Sequence, residues 1–255
     1  MPILTSKNRM DYSCKVLLLL VMVLTCSCKS VNPLTYSSAD KKLEGLINRS
    51  LEYFGGVKKH QSIARLAYKK EVVLYKEDGQ IDKEIFEQHR YNYREGNFSI
   101  NKKIAGSSSE FHMKNGKHYA LVDGKRNEAA SIETTFNTAF YVIGMPFKFL
   151  DEGVALELIE EENNIYSIQA DYNPTSNPNH AGSEKWIYSI DKTGNLTQQI
   201  AYSSDHISLI KNDAYHTIED YKFIKERTSY RVNDKHDILY KRADYKYYDV
   251  EIDFK

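Results

Sequence analysis

Residues 127–150, NEAASIETTFNTAFYVIGMPFKFL, carry the one long helical signal in the middle of a chain that otherwise reads as strands. Ile132, Phe136, Ala139, Phe140 and Ile143 recur at helical spacing and so share one apolar face. Gly144 stops the helix, and Pro146 cannot continue it. The expected fold class is α+β: a curved antiparallel β-sheet, a half-barrel, wrapped around this central helix, plus an N-terminal helix.

On either side, tight-turn chemistry separates alternating segments. Asn115-Gly116 and Asp123-Gly124 supply the positive φ angles of two-residue hairpins, and Asn163-Asn164 marks a third. Such turns join only antiparallel neighbours, so a meander is predicted. From Ser62, Ala64, Leu66, Tyr68, Val72 and Leu74 share a parity that only Lys70 breaks. Further strands are predicted at Phe86–Tyr93, Phe98–Ile104, Trp186–Ile190, Leu196–Ser203, Ile207–Ile210, Ala214–Phe223, Thr228–Val232 and Ile238–Tyr240. In the last one, Tyr248, Val250, Ile252 and Phe254 alternate against Tyr247, Asp249, Glu251 and Asp253. Residues 173–184, NPTSNPNHAGSE, form a long polar loop and a candidate flap.

Upstream, Leu43, Leu46, Ile47, Leu51 and Phe54 make an apolar stripe ending at Gly55-Gly56, with Ser37 and Asp40 as a candidate capping box. Before that, basic residues Lys7, Arg9 and Lys15 precede the apolar run Val16–Leu24. The run is too short for a membrane span and suits a signal-peptide core, with translation starting at Met1 or Met10. It ends in Thr-Cys-Ser-Cys, which resembles a bacterial lipobox; Cys28, after Ser27, fits acylation better than Cys26. The expected organisation is a lipoprotein signal peptide over 1–27, a polar tether over 28–38 lipidated at Cys28, and a single domain over 39–255. Cys14, Cys26 and Cys28 are the only cysteines, so neither a disulfide nor a thiolate is available to the folded part.

Loss of the first 27 residues takes the formal net charge from 0 to about −2, and no basic block is present. Nucleic acid is therefore not an expected partner. Lys58-Lys59 and Lys102-Lys103 read as solvated edges or loops. No GxSxG elbow, phosphate loop or GxGxxG is found, so no catalytic residue and no cofactor is expected. No metal ligand set is expected either, although His112 and His118 are placed to face each other across the Asn115-Gly116 hairpin. His180, Ser183 and Glu184 bring acid-base residue types together in the polar loop.

The first helix ending in Tyr53-Phe54-Gly55-Gly56 and the central helix ending in Gly144-Met145-Pro146-Phe147 resemble the pattern of a family of uncharacterised Bacteroidetes lipoproteins. The resemblance covers roughly residues 40–255. It implies a LolA/LolB/RseB-like half-barrel, in which a sheet curls around helices and encloses a cavity for acyl chains. It implies no activity, since fold-level kinship does not fix function. Lys29 to Asn32 lack the acidic run of surface-exported lipoproteins in that group, so an outer-membrane anchor with a periplasm-facing domain is implied.

The expected function is non-catalytic: binding an apolar or lipid-like ligand, or a partner's lipidated segment, with Phe136, Phe140, Phe147, Phe149 and Trp186 lining the concavity. Against it stands an envelope interaction or structural protein with a solid core, built by the same rings and presenting a tyrosine-rich sheet face or the polar loop. A hydrolase using His180 or the His112 and His118 pair is the third reading.

Overall fold

Positive-φ turns force the strands into neighbouring antiparallel pairs, and these join into one 13-stranded sheet. The computed structural model describes residues 36–127, 132–172 and 185–255. The signal segment, Cys28 and the polar loop with His180, Ser183 and Glu184 lie outside them. The strands are β1 (Ile63–Tyr75), β2 (Ile81–Asn92), β3 (Asn97–Ile104), β4 (Ser107–Lys114), β5 (Lys117–Val122), β6 (Lys125–Arg126), β7 (Val154–Glu162), β8 (Ile165–Tyr172), β9 (Lys185–Asp191), β10 (Leu196–Tyr202), β11 (Ile207–Ile218), β12 (Tyr221–Val232) and β13 (Ile238–Phe254). The helices are α1 (Lys41–Tyr53), α2 (Gly56–Gln61) and α3 (Ile132–Gly144), followed by a 3₁₀ turn at Phe147–Leu150. In space the strands run β6-β5-β4-β3-β2-β1-β13-β12-β11-β10-β9-β8-β7, so the sheet is unclosed and β6 and β7 are its margins. Every neighbouring pair is antiparallel.

The sheet must bend, because α3 touches both arms. The Phe140 ring lies 5.1 Å from Tyr91 on β2 and 5.5 Å from Phe98 on β3. The neighbouring Tyr141 ring lies 5.5 Å from Tyr172 on β8 and 5.2 Å from Trp186 on β9. On a flat sheet β2 and β9 would be six strand spacings apart, about 29 Å, whereas a helix is only about 10–12 Å across.

The predicted stripe of α1 is realised in full: Leu43, Leu46, Ile47, Leu51 and Phe54 are all buried. Its cap differs in detail. Asp40 is the N-cap and its Oδ1 accepts from the backbone N–H groups of Lys42 and Leu43, while Glu44 reaches back to the Ser38 N–H. The chain leaves α1 through Gly55 at φ +105°, where a Cβ would press on the backbone of Asp220 and Tyr221. The β9–β10 turn also sits tightly against α1: a Cβ on Gly194 would lie 2.6 Å from the Arg49 carbonyl oxygen.

Two strand readings are corrected. Ala214–Phe223 is not one strand, since Glu219 and Asp220 both take positive φ and split it into β11 and β12. The final alternation also breaks, because Asp249 at φ +51° sits in a bulge opposite Tyr68. The inward parity flips there, so Tyr247 is 2% exposed and Tyr248 36%, while Ile252 is again buried.

Candidate functional site

A cleft of about 400 Å³ lies between α3 and the concave face of β1, β2, β3 and β13. Its wall follows from strand register. Ile85 on β2, Val72 on β1 and Tyr245 on β13 lie side by side as one rung. The next inward rung runs Lys102, Glu87, Lys70 and Tyr247 across β3, β2, β1 and β13. The third places Ile100 beside His89 and His89 beside Tyr68. Opposite, α3 presents Thr138, Ala139, Val142 and Ile143 to the cleft. A charged rung is thus set between an aliphatic and an aromatic one.

Glu87 is the hub of the charged rung. Lys70 Nζ lies 2.8 Å from its Oε2, and Lys102 Nζ lies 3.6 Å from its Oε1. His89 Nε2 lies 3.0 Å from the same Oε2, and His89 Nδ1 lies 2.6 Å from the Tyr91 hydroxyl. Burial alone would raise the Glu87 carboxyl, but the Lys70 ammonium and the His89 hydrogen bond outweigh it and hold the carboxyl far below the usual range. Burial lowers His89 and outweighs the opposing pull of Glu87. The imidazole is therefore neutral at pH 7, with Nε2–H donating to the carboxylate and Nδ1 accepting from the Tyr91 O–H. Tyr68 stacks on its face at 4.4 Å. Both ring nitrogens are occupied, so the imidazole is held as a structural element. The cluster contains two ammonium groups, one carboxylate and one neutral ring, a balance of +1 in a mostly apolar cleft. No group of three or more metal-ligating side chains occurs among the described residues.

The five rings expected to line the concavity are placed elsewhere. Phe136 and Phe149 are 1% and 2% exposed, and Phe149 meets Tyr188 edge-on at 5.0 Å. Phe147 is buried and stacks on His60 at 4.0 Å. Trp186 stacks on Tyr188, beside a buried trio in which the hydroxyls of Tyr141, Tyr172 and Tyr188 hydrogen-bond to one another. Phe140 is half-buried between Tyr91 and Phe98. None of the five is among the residues lining the cleft, because the helix turns Phe136 and Tyr141 into the packed core and Ala139, Val142 and Ile143 toward the void. The aromatic spacing that suggested a lining builds core here.

His112 and His118 do not face each other. His112 pairs with Tyr119 and stacks on it at 4.7 Å, while His118 pairs with Met113, so the two imidazoles leave opposite faces of the hairpin. The tyrosines are less exposed than expected: Tyr68, Tyr91, Tyr141, Tyr172, Tyr188, Tyr221 and Tyr247 are all buried. Lys102 is an inward member of the charged rung and not a solvated edge residue. The sequence held one clue to this rung, the inward parity of Lys70. Its partners Glu87 and Lys102 became visible only through register.

No protein-family model matches the chain, and no curated protein matches it. A solved structure that matches is the 1.75 Å crystal structure of a DUF1329 family protein from Desulfovibrio piger ATCC 29098, with a TM-score of 0.49 and 7% identity over 82% of this chain and 92% of that one. At that level of similarity the match says nothing about activity.

Proposed function

We propose that the chain is a non-catalytic envelope protein that holds an apolar or lipid-like ligand between α3 and the concave sheet face, in the manner of the LolA/LolB/RseB half-barrels it resembles. The observation that carries this reading is the cleft of about 400 Å³ faced by Val72, Leu74, Ile85, Ala139, Val142 and Ile143. That volume falls in the range of about 300–1,000 Å³ of small-molecule sites, and most of the exposed lining surface is apolar, with the charged rung and the threonines of α3 as its polar groups. Under the same reading Cys28 is acylated after removal of residues 1–27 and tethers the domain to the outer membrane, facing the periplasm. Metabolic labelling with a palmitate analogue tests the anchor, and incorporation that survives Cys28→Ala overturns it.

Uptake of N-phenyl-1-naphthylamine, a neutral fluorophore that brightens in apolar surroundings, tests the cleft. The wild-type chain should brighten it, and Val142→Trp, which places a large ring in the void, should abolish the signal with the unfolding midpoint kept. No uptake by the wild type, or uptake equal in the two proteins, overturns the reading.

A further inference from the structure

We infer that the ligand of this cleft is a single-chain amphiphile with an anionic headgroup, its oxyanion set against Lys102 and Lys70 and its tail along Val72, Ile85 and the Ala139, Val142, Ile143 face of α3. This rests on the ligand-binding reading above and adds the polar end of the ligand to it.

The argument is one of charge balance. A purely apolar ligand needs no ionic rung in its site, and burying ammonium groups beside aliphatic walls is costly unless they are paired. Glu87 satisfies one positive charge. Its Oε2 is shared between Lys70 at 2.8 Å and His89 at 3.0 Å, and its Oε1 faces Lys102 only at 3.6 Å, so one carboxylate serves two ammonium groups. His89 is neutral, so it brings no counter-charge. The other lining residues on β1, β2, β3, β13 and α3 carry no formal charge: the titratable ones are Tyr68, Tyr245 and Tyr247, and α3 offers only threonines and aliphatic groups. One positive charge is left without a carboxylate.

Position singles out Lys102 as the group that meets a headgroup. It has the longer separation from Glu87 and the more exposed side chain, 31% against 21% for Lys70. The rung beyond it is aliphatic on the side of Ile85 and Val72, so a head held at Lys102 can lay a tail across these residues beneath α3. Carboxylate and phosphate heads share this chemistry. A cationic or uncharged head of the same tail length does not.

The test measures displacement of N-phenyl-1-naphthylamine from the full chain by palmitate, hexadecyl phosphate, hexadecanol and hexadecyltrimethylammonium. Palmitate and hexadecyl phosphate should each displace at concentrations about tenfold below hexadecanol, the yield of one charge-assisted contact. A stronger effect of palmitate assigns a fatty-acid head, and a stronger effect of the phosphate assigns a phospholipid-type head. Lys102→Met keeps the aliphatic stem and should bring palmitate and hexadecanol within about twofold of each other. Lys102→Glu should reverse the order in favour of hexadecyltrimethylammonium. A fluorophore that binds but is displaced equally by all four probes overturns the headgroup assignment and leaves the apolar site standing. A fluorophore that never binds overturns both. Unchanged palmitate preference in Lys102→Met and Lys102→Glu, each shown to be folded by circular dichroism, also overturns the assignment.

Discussion

Replacing Glu87 with Gln keeps the shape of the side chain and removes only its charge, so the response measures what the hub carboxylate does for the fold. Breaking a buried ion pair by deleting one partner costs about 3–5 kcal/mol, because the other charge is left uncompensated. Here Glu87 is 10% exposed, Lys70 21% and Lys102 31%, so water screens part of that loss. The Gln amide still offers an oxygen to Lys70. A cost of about 2–3 kcal/mol is expected for Glu87→Gln, and less, about 1–2 kcal/mol, for Lys70→Gln, because Lys102 still faces the carboxylate, both read from urea midpoints at unchanged slope. The double variant should cost no more than Glu87→Gln alone, about 2–3 kcal/mol in total, since Lys70 is then no longer stranded and only the half-exposed Lys102 lacks its carboxylate. The sign of the pH dependence follows from the lowered carboxyl: its contribution is present above the ordinary carboxylate range and fades as pH falls through the depressed folded value. Additive single costs, within about 0.5 kcal/mol, would refute the coupling on which the charged rung is argued.

His60 supplies a second pH-dependent element. Its ring is packed on Phe147, its Nδ1 meets the Tyr221 hydroxyl at 2.9 Å, and burial, with Lys148 nearby, pushes it down to about 4. The unfolded imidazole takes its proton near pH 6.5, so stability is full above that value and declines toward pH 4, by about 3 kcal/mol in total. His60→Phe should flatten the stability profile over that window, and an unchanged profile would rule the assignment out. Gly194→Ala forces a Cβ to 2.6 Å from the Arg49 carbonyl oxygen at φ +97°, so calorimetry should show a loss of about 1–3 kcal/mol. A variant as stable as wild type would mean that the β9–β10 turn does not rest on α1 as described.

The meander was legible because its turns carry their own chemistry. Asn115-Gly116, Asp123-Gly124 and Asn163-Asn164 all adopt the positive φ angles expected of them. The turn at Glu219-Asp220 does the same without a glycine or asparagine, and Asp220 alone is too weak a turn signal, so two strands read as one. Alternation along the last strand misled for a related reason. A single inserted residue at Asp249 reverses every side chain beyond it, and the inserted residue looks like any other outward acid. The stripe of α1 was fully readable, since a helix packed on one side declares its buried face by spacing alone. On α3 the apolar residues run too far around the helix for spacing to separate the core side from the side facing the cleft. The charged rung was out of reach for a deeper reason: Lys102, Glu87 and Lys70 are distant in sequence and meet only after three strands have settled into register.

An unclosed sheet carries a hazard that a closed barrel avoids, because each margin offers unpaired backbone groups to another molecule. The two margins here handle it differently. β6 is two residues long, Lys125–Arg126, too short to template a growing stack. β7 is long enough, but Glu157 and the run Glu160, Glu161 and Glu162 along it are exposed. A second copy docking its own β7 there would crowd Glu157, Glu160 and Glu162 of the two chains together, so like-charge repulsion disfavours pairing of β7 with β7.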